Sequence, residues 1–124
     1  MDEHIETCLK IFSHIQNVLN IKHYTILPMN RRFLKNARSY TAGYINFAKQ
    51  KIVIDVYTPA KAKPKSYASI IRTLAHEVAH IQKPPYRSLY KGRIILRQHY
   101  PEFYTQTNKN VELLKKDKYL KKFF

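Results

Sequence analysis

The chain is predicted to be an α+β domain, with helices laid against one face of a small mixed sheet. Three observations predict this. Apolar residues recur at helical spacing near the N-terminus and again in the second half. A β-textured stretch runs between them from about residue 23 to residue 57. A length of 124 residues leaves room for one domain, here 1–124, and not for two. A chain of this size buries roughly two-thirds of its unfolded surface. With 44% apolar and 13% aromatic residues it is too rich in core-forming side chains to stay disordered.

Residues 3–20 carry Ile5, Leu9, Phe12, Ile15 and Leu19 at helical spacing, with Asp2 and Glu3 where the positive end of a helix favours acids. His14 falls on the polar side of this helix and His4 at its frayed start; both are expected to be ordinary surface histidines. His23–Met29 and Phe33–Tyr40 read as strands around an Asn30-Arg31-Arg32 turn. Two short strands follow, 44–47 and 51–57, joined at Ala48-Lys49-Gln50. The second is almost continuously apolar, as an interior strand is. The first, entering from Gly43, fits its antiparallel outer neighbour. Pro59–Lys65 is a basic loop. Ser66 is a suitable cap for a helix reaching about Lys83, which Pro84-Pro85 then stops. Residues 86–98 read two ways: Tyr86, Leu89, Tyr90 and Ile94 fit a helix, and Gly92 breaks it. Pro101 opens the last helix, with Phe103, Thr107, Val111 and Leu114 inward and a lysine-rich side outward.

Charge narrows the partners. Twenty-three Lys and Arg stand against eight Asp and Glu, a net +15. Such an excess points to a polyanion, nucleic acid ahead of an anionic membrane surface, although a bias toward Lys, Ile, Asn and Tyr would produce some of it. Candidate nucleic-acid contacts are Arg31, Arg32, Lys61, Lys63, Lys65, Arg87, Lys91, Arg93 and Arg97. No apolar run approaches the ~20 residues of a membrane span. The acidic start MDEHIETCLK does not have the pattern of a signal peptide. A single cysteine, Cys8, excludes an internal disulfide and a cysteine-based zinc finger, so an intracellular monomer without a membrane partner is expected.

The chemistry-bearing motif is His76-Glu77-Val78-Ala79-His80, an H-E-x-x-H. Four residues apart on a helix, two imidazoles lie one above the other and can grip one metal ion. Glu77 is turned about 100° from His76, which places a carboxylate where it can hold and deprotonate water without itself being a ligand. Neutral imidazoles suit Zn²⁺, a carboxylate suits the base, and an open fourth position suits a substrate. On the opposite side of the helix Ile70, Ile71, Leu74, Val78 and Ile81 form the face toward the core. His99 is the favoured third ligand, being the only histidine after His80; Glu102 and Glu112 are the carboxylate alternatives.

Together these residues resemble the WLM and SprT-like zinc metallopeptidases, relatives of proteases that cleave proteins covalently trapped on DNA. The resemblance rests on the strand pair 43–56, on Pro64–His80 read as P-x-S-Y-x-S-I-I-x-T-L-x-H-E-x-x-H, and on His99–Tyr104 read as H-x-x-x-F-Y. The spacing between the second and third histidines is nearer the SprT-like pattern, with Gln98 and Tyr100 where glycines are usual. The resemblance implies a zincin-like minimal metallopeptidase domain holding one Zn²⁺ on His76, His80 and His99, with Glu77 as catalytic base. It implies a protein or peptide substrate added as a strand along Gly43, Tyr44, Ile45, Asn46 and Phe47, and DNA as a partner. An oxyanion-stabilising tyrosine is sought among Tyr86, Tyr90, Tyr100 and Tyr104. Two other readings stand beside it: a nucleic-acid-binding module with a non-catalytic zinc, and a zincin for small peptides indifferent to DNA.

Overall fold

A computed structural model of the chain describes residues 3–29, 43–57 and 63–124. The expected strand at Phe33–Tyr40, the turn before it, and most of the basic loop at Pro59–Lys65 lie outside the described residues. Within them the chain is a small mixed α+β domain. The elements are α1 (Glu3–Val18), β1 (Thr25–Pro28), β2 (Gly43–Asn46), β3 (Lys51–Ile54), α2 (Tyr67–Gln82), β4 (Tyr86–Tyr90), β5 (Arg93–Arg97), α3 (Pro101–Lys115) and a closing 3-10 turn, Leu120–Phe123. No helix among them is long and apolar enough to cross a membrane.

β3 is the middle of a three-stranded sheet, parallel to β1 and antiparallel to β2. Its run Ile52-Val53-Ile54 is buried on both faces, as the apolar sequence required. Among the described residues β2 lies at the edge, where the sequence placed it. The register sets Ile26, Ile52 and Ile45 in one row. That row packs on Cys8, Ile11, Phe12 and Ile15 of α1, on Ile70, Ile71, Leu74 and Val78 of α2, and on Val111, Leu114 and Leu120 in one hydrophobic cluster.

One expectation needs correction, and one reading left open by the sequence is decided. α1 turns its Cys8-Ile11-Ile15 line to the core and leaves Ile5 and Leu9 only partly buried. His4 lies on that same line and is buried, not a surface histidine. Its Nε2 donates to the Val56 carbonyl at 2.9 Å, leaving Nδ1 to accept from the Tyr67 hydroxyl at 3.3 Å. These partners allow a polar ring inside the core. His14 is half exposed, stacked on Tyr119 and 3.5 Å from Asp117.

The open reading is that of residues 86–98, which form no helix. β4 and β5 make an antiparallel hairpin turned at Lys91-Gly92. Both turn residues have positive φ, 49° and 78°, the conformation a two-residue hairpin turn needs to match strand twist. Gly92 reaches it without strain, and Lys91 takes the left-handed region at a modest cost.

Candidate metal centre

Helix α2 starts as its sequence indicates. The Ser66 hydroxyl accepts from the Ser69 amide at 3.2 Å, satisfying one of the free N–H groups of the first turn. Ile70, Ile71, Leu74, Ala75 and Val78 are fully buried, which fixes the helix's rotation and turns His76 and His80 to the other side. α3 holds that rotation through the buried Asn110. Its amide donates to the Ala75 carbonyl at 3.2 Å and to Gln82 Oε1 at 2.7 Å, and its own oxygen accepts from Gln106. Nothing in the sequence marked Asn110, whose polar side chain sits on an otherwise apolar helix face.

His99 reaches the site from the short link between β5 and α3. Next to it, the Tyr100 hydroxyl donates to the Pro84 carbonyl at 3.0 Å, and the Tyr86 ring meets Tyr100 edge-on at 5.0 Å. The chain leaving α2 and the chain entering α3 are thus fastened together beside the histidines.

The three imidazoles form a nearly equilateral triangle, with ring centroids 5.0, 5.2 and 5.0 Å apart for the pairs 76–80, 76–99 and 80–99. One ligand nitrogen from each lies within 4.8 Å of the others, close enough for one metal ion. Phe103, fully buried one turn into α3, touches all three rings, at 4.9 Å from His76, 4.4 Å from His80 and 5.1 Å from His99. It is the floor of the site. The sequence offered Phe103 as a core residue and as part of the H-x-x-x-F-Y ending, without this role. Glu102 and Glu112, the alternative ligands, are exposed and outside the triangle, and Glu112 faces Lys115 at 3.5 Å.

The site suits a cation. His80 is buried and its Nδ1 has no hydrogen-bond partner among the described residues, a costly state for a ring nitrogen unless something else engages the imidazole. Burial and the neighbouring His76 and His99 push its pKa down to about 4, and burial with His99 lowers that of His76. Both rings therefore stay neutral near pH 7, with a lone pair free for a metal. Three imidazoles are a donor set that zinc accepts.

Glu77 is also buried, and burial pushes its carboxyl up to about 7. It lines a cleft of about 340 Å³ with His76, His80, His99, Pro85 and Gln98 on one side and Gly43, Tyr44, Ile45 and Phe47 on the other. The edge strand and the histidines thus share one opening. Asn46, expected with them, instead accepts from the Lys49 amide at 3.0 Å and shapes the turn into β3. Gly43 is required by close approach: a Cβ there would lie 2.8 Å from Ile54 Cδ1 and 3.0 Å from the Val53 carbonyl oxygen.

None of the four candidate tyrosines lines this cleft. Tyr100 is committed to Pro84, Tyr86 and Tyr90 belong to the hairpin, and Tyr104 lies half exposed over His99 at 6.2 Å. Of the candidate nucleic-acid contacts, Arg31, Arg32 and Lys61 lie outside the described residues. Lys63 is exposed and Lys65 half-buried; Arg87, Lys91 and Arg93 are exposed on the hairpin, and Arg97 is half-buried there. Comparison with protein-family models, curated proteins and solved structures finds no match for this chain.

Proposed function

We propose that the chain is a zinc-dependent endopeptidase of the WLM and SprT-like kind, zincin-like in fold, that cleaves proteins bound or crosslinked to DNA. The observation that carries this reading is the convergence of His76, His80 and His99, from two separated stretches, beside the buried carboxyl of Glu77. His76, His80 and His99 would hold the ion, which when bound supplies Lewis-acid polarisation of a carbonyl and acidification of water.

The remaining steps belong to the chain's own residues. Glu77, whose carboxyl shares the cleft with the three histidines, takes the proton of the attacking water and returns it to the leaving nitrogen. β2, the edge of the sheet among the described residues, would offer backbone N–H and C=O groups to an extended substrate, giving affinity with little side-chain selection. Broad cleavage then calls for control by location, and a +15 chain is drawn to DNA.

The test uses zinc-loaded protein with a basic protein substrate, with and without single- or double-stranded DNA. Wild type is expected to hold one zinc per chain and to cleave, with DNA stimulating. His99→Ala should lose the metal, and Glu77→Gln should keep the metal and lose cleavage by about 10²-fold or more. Cleavage by Glu77→Gln at the wild-type rate would overturn the reading.

A further inference from the structure

The β4–β5 hairpin carries the most exposed aliphatic side chains among the described residues. Its register pairs Arg87 with Leu96 and Leu89 with Ile94, so these four share one face. Leu89 is 73% exposed, Ile94 74% and Leu96 57%. The opposite face holds the half-buried Ser88, Ile95 and Arg97 together with the exposed Tyr86, Tyr90 and Arg93, and meets the body where Tyr86 packs on Tyr100. Among the described residues the two strands pair only with each other. A contiguous outward apolar face on such an element marks a contact surface.

Its surroundings are cationic. Arg87 lies on the apolar face, Lys91 at the turn and Arg93 next to it, all exposed, and no Asp or Glu occurs between Glu77 and Glu102. The partner must therefore be negatively charged and also able to receive aliphatic groups. A second copy fails on charge, since it would set +15 against +15 and these same cations against each other. A DNA groove supplies the charge but receives apolar side chains only at scattered thymine methyl groups or as a wedge between base steps, not as a continuous apolar layer. Here the tip that would enter is Lys91-Gly92, and the aliphatic residues lie behind it on the flat of the ribbon. An anionic bilayer supplies both, with phosphates at the surface and an apolar layer just below.

We propose that the outward face of the β4–β5 hairpin docks on an anionic lipid surface, with Leu89, Ile94 and Leu96 entering the acyl boundary and Arg87 and the turn residue Lys91 on the headgroup phosphates. The proposal needs neither zinc nor hydrolysis, so it stands or falls separately from the peptidase reading.

The test is co-sedimentation of the full chain with vesicles of phosphatidylcholine alone or mixed with phosphatidylserine. Binding is expected to the mixed vesicles and to weaken with salt. Leu89→Ser with Ile94→Ser should weaken it about tenfold per side chain. Removing Arg87 or Lys91 should cost about fivefold each. The chain has no tryptophan, so Leu96→Trp gives a single reporter at an exposed site. Its emission should shift to the blue on mixed vesicles and be quenched by brominated acyl chains. Absent vesicle binding, or binding unchanged by the serine pair, overturns the proposal. So does loss of duplex-DNA binding, or of a lipid-free dimer, as the main effect of the serine pair; these outcomes assign the face to nucleic acid or to a second copy.

Discussion

In metal-free protein, replacing Glu77 by Gln should stabilise the fold, and increasingly so as pH rises. Burial holds the Glu77 carboxyl at about 7, against 4.5 for an ordinary one. A folded pKa above the unfolded value means that the folded state keeps its proton longer. Its stabilising share is complete below about pH 4.5 and is lost as pH climbs through 7. At ~1.4 kcal/mol per pH unit the full gap is worth on the order of 3 kcal/mol, and water entering the open cleft reduces this to about 2 kcal/mol. Glutamine is neutral throughout and nearly the same shape. The two proteins should therefore match near pH 4 and diverge until the variant leads by about 2 kcal/mol near pH 8. His80 works in the opposite sense. Its pKa, pushed down to about 4 from 6.5, gives stability that is present above pH 6.5 and lost as pH falls toward 4. That slope is common to both proteins and cancels in their difference. The assay is urea denaturation in chelator across this pH range. Parallel curves with no gain for the variant near pH 8 would refute the claim that the carboxyl is desolvated. Added zinc should narrow the gap, because a cation beside the carboxylate favours its ionised form.

Two further substitutions probe the walls of the site. Phe103→Leu removes the ring that touches all three imidazoles; zinc affinity measured against a competing chelator should fall about 10- to 100-fold, while the fold, followed by circular dichroism, persists. Gly43→Val places a branched side chain where even a Cβ would meet Ile54 and the Val53 carbonyl within 3.0 Å. It should cost about 1–3 kcal/mol in denaturation experiments and lower substrate cleavage further by displacing the edge strand from the cleft.

Much of the fold and site was legible because strong local signals agreed with the tertiary outcome. Ser66 and Pro84-Pro85 bounded α2, Pro101 opened α3, and the unbroken Ile52-Val53-Ile54 run marked the interior strand. The i, i+4 spacing of His76 and His80 dictated a shared face once the isoleucines and leucines of α2 chose the other. Where the reading stayed open, a local pattern had two solutions. Tyr86, Leu89, Tyr90 and Ile94 happen to fall at helical spacing, yet the decisive signal was Lys91-Gly92 between two β-prone runs. His4 and Asn110 were missed because their partners, the Val56 and Ala75 carbonyls, lie 52 and 35 residues away, and sequence spacing carries no trace of them.

The hairpin also determines how cheaply the third imidazole arrives. Eighteen residues separate His80 from His99, a tether long enough, if slack, to make closure around an ion entropically expensive. Apart from Lys83, Pro84 and Pro85, the turn pair, and Gln98, every one of them is locked into helix or ladder. The ordering entropy is therefore spent during folding rather than at capture, and His99 meets an incoming cation at the high effective concentration of a near neighbour.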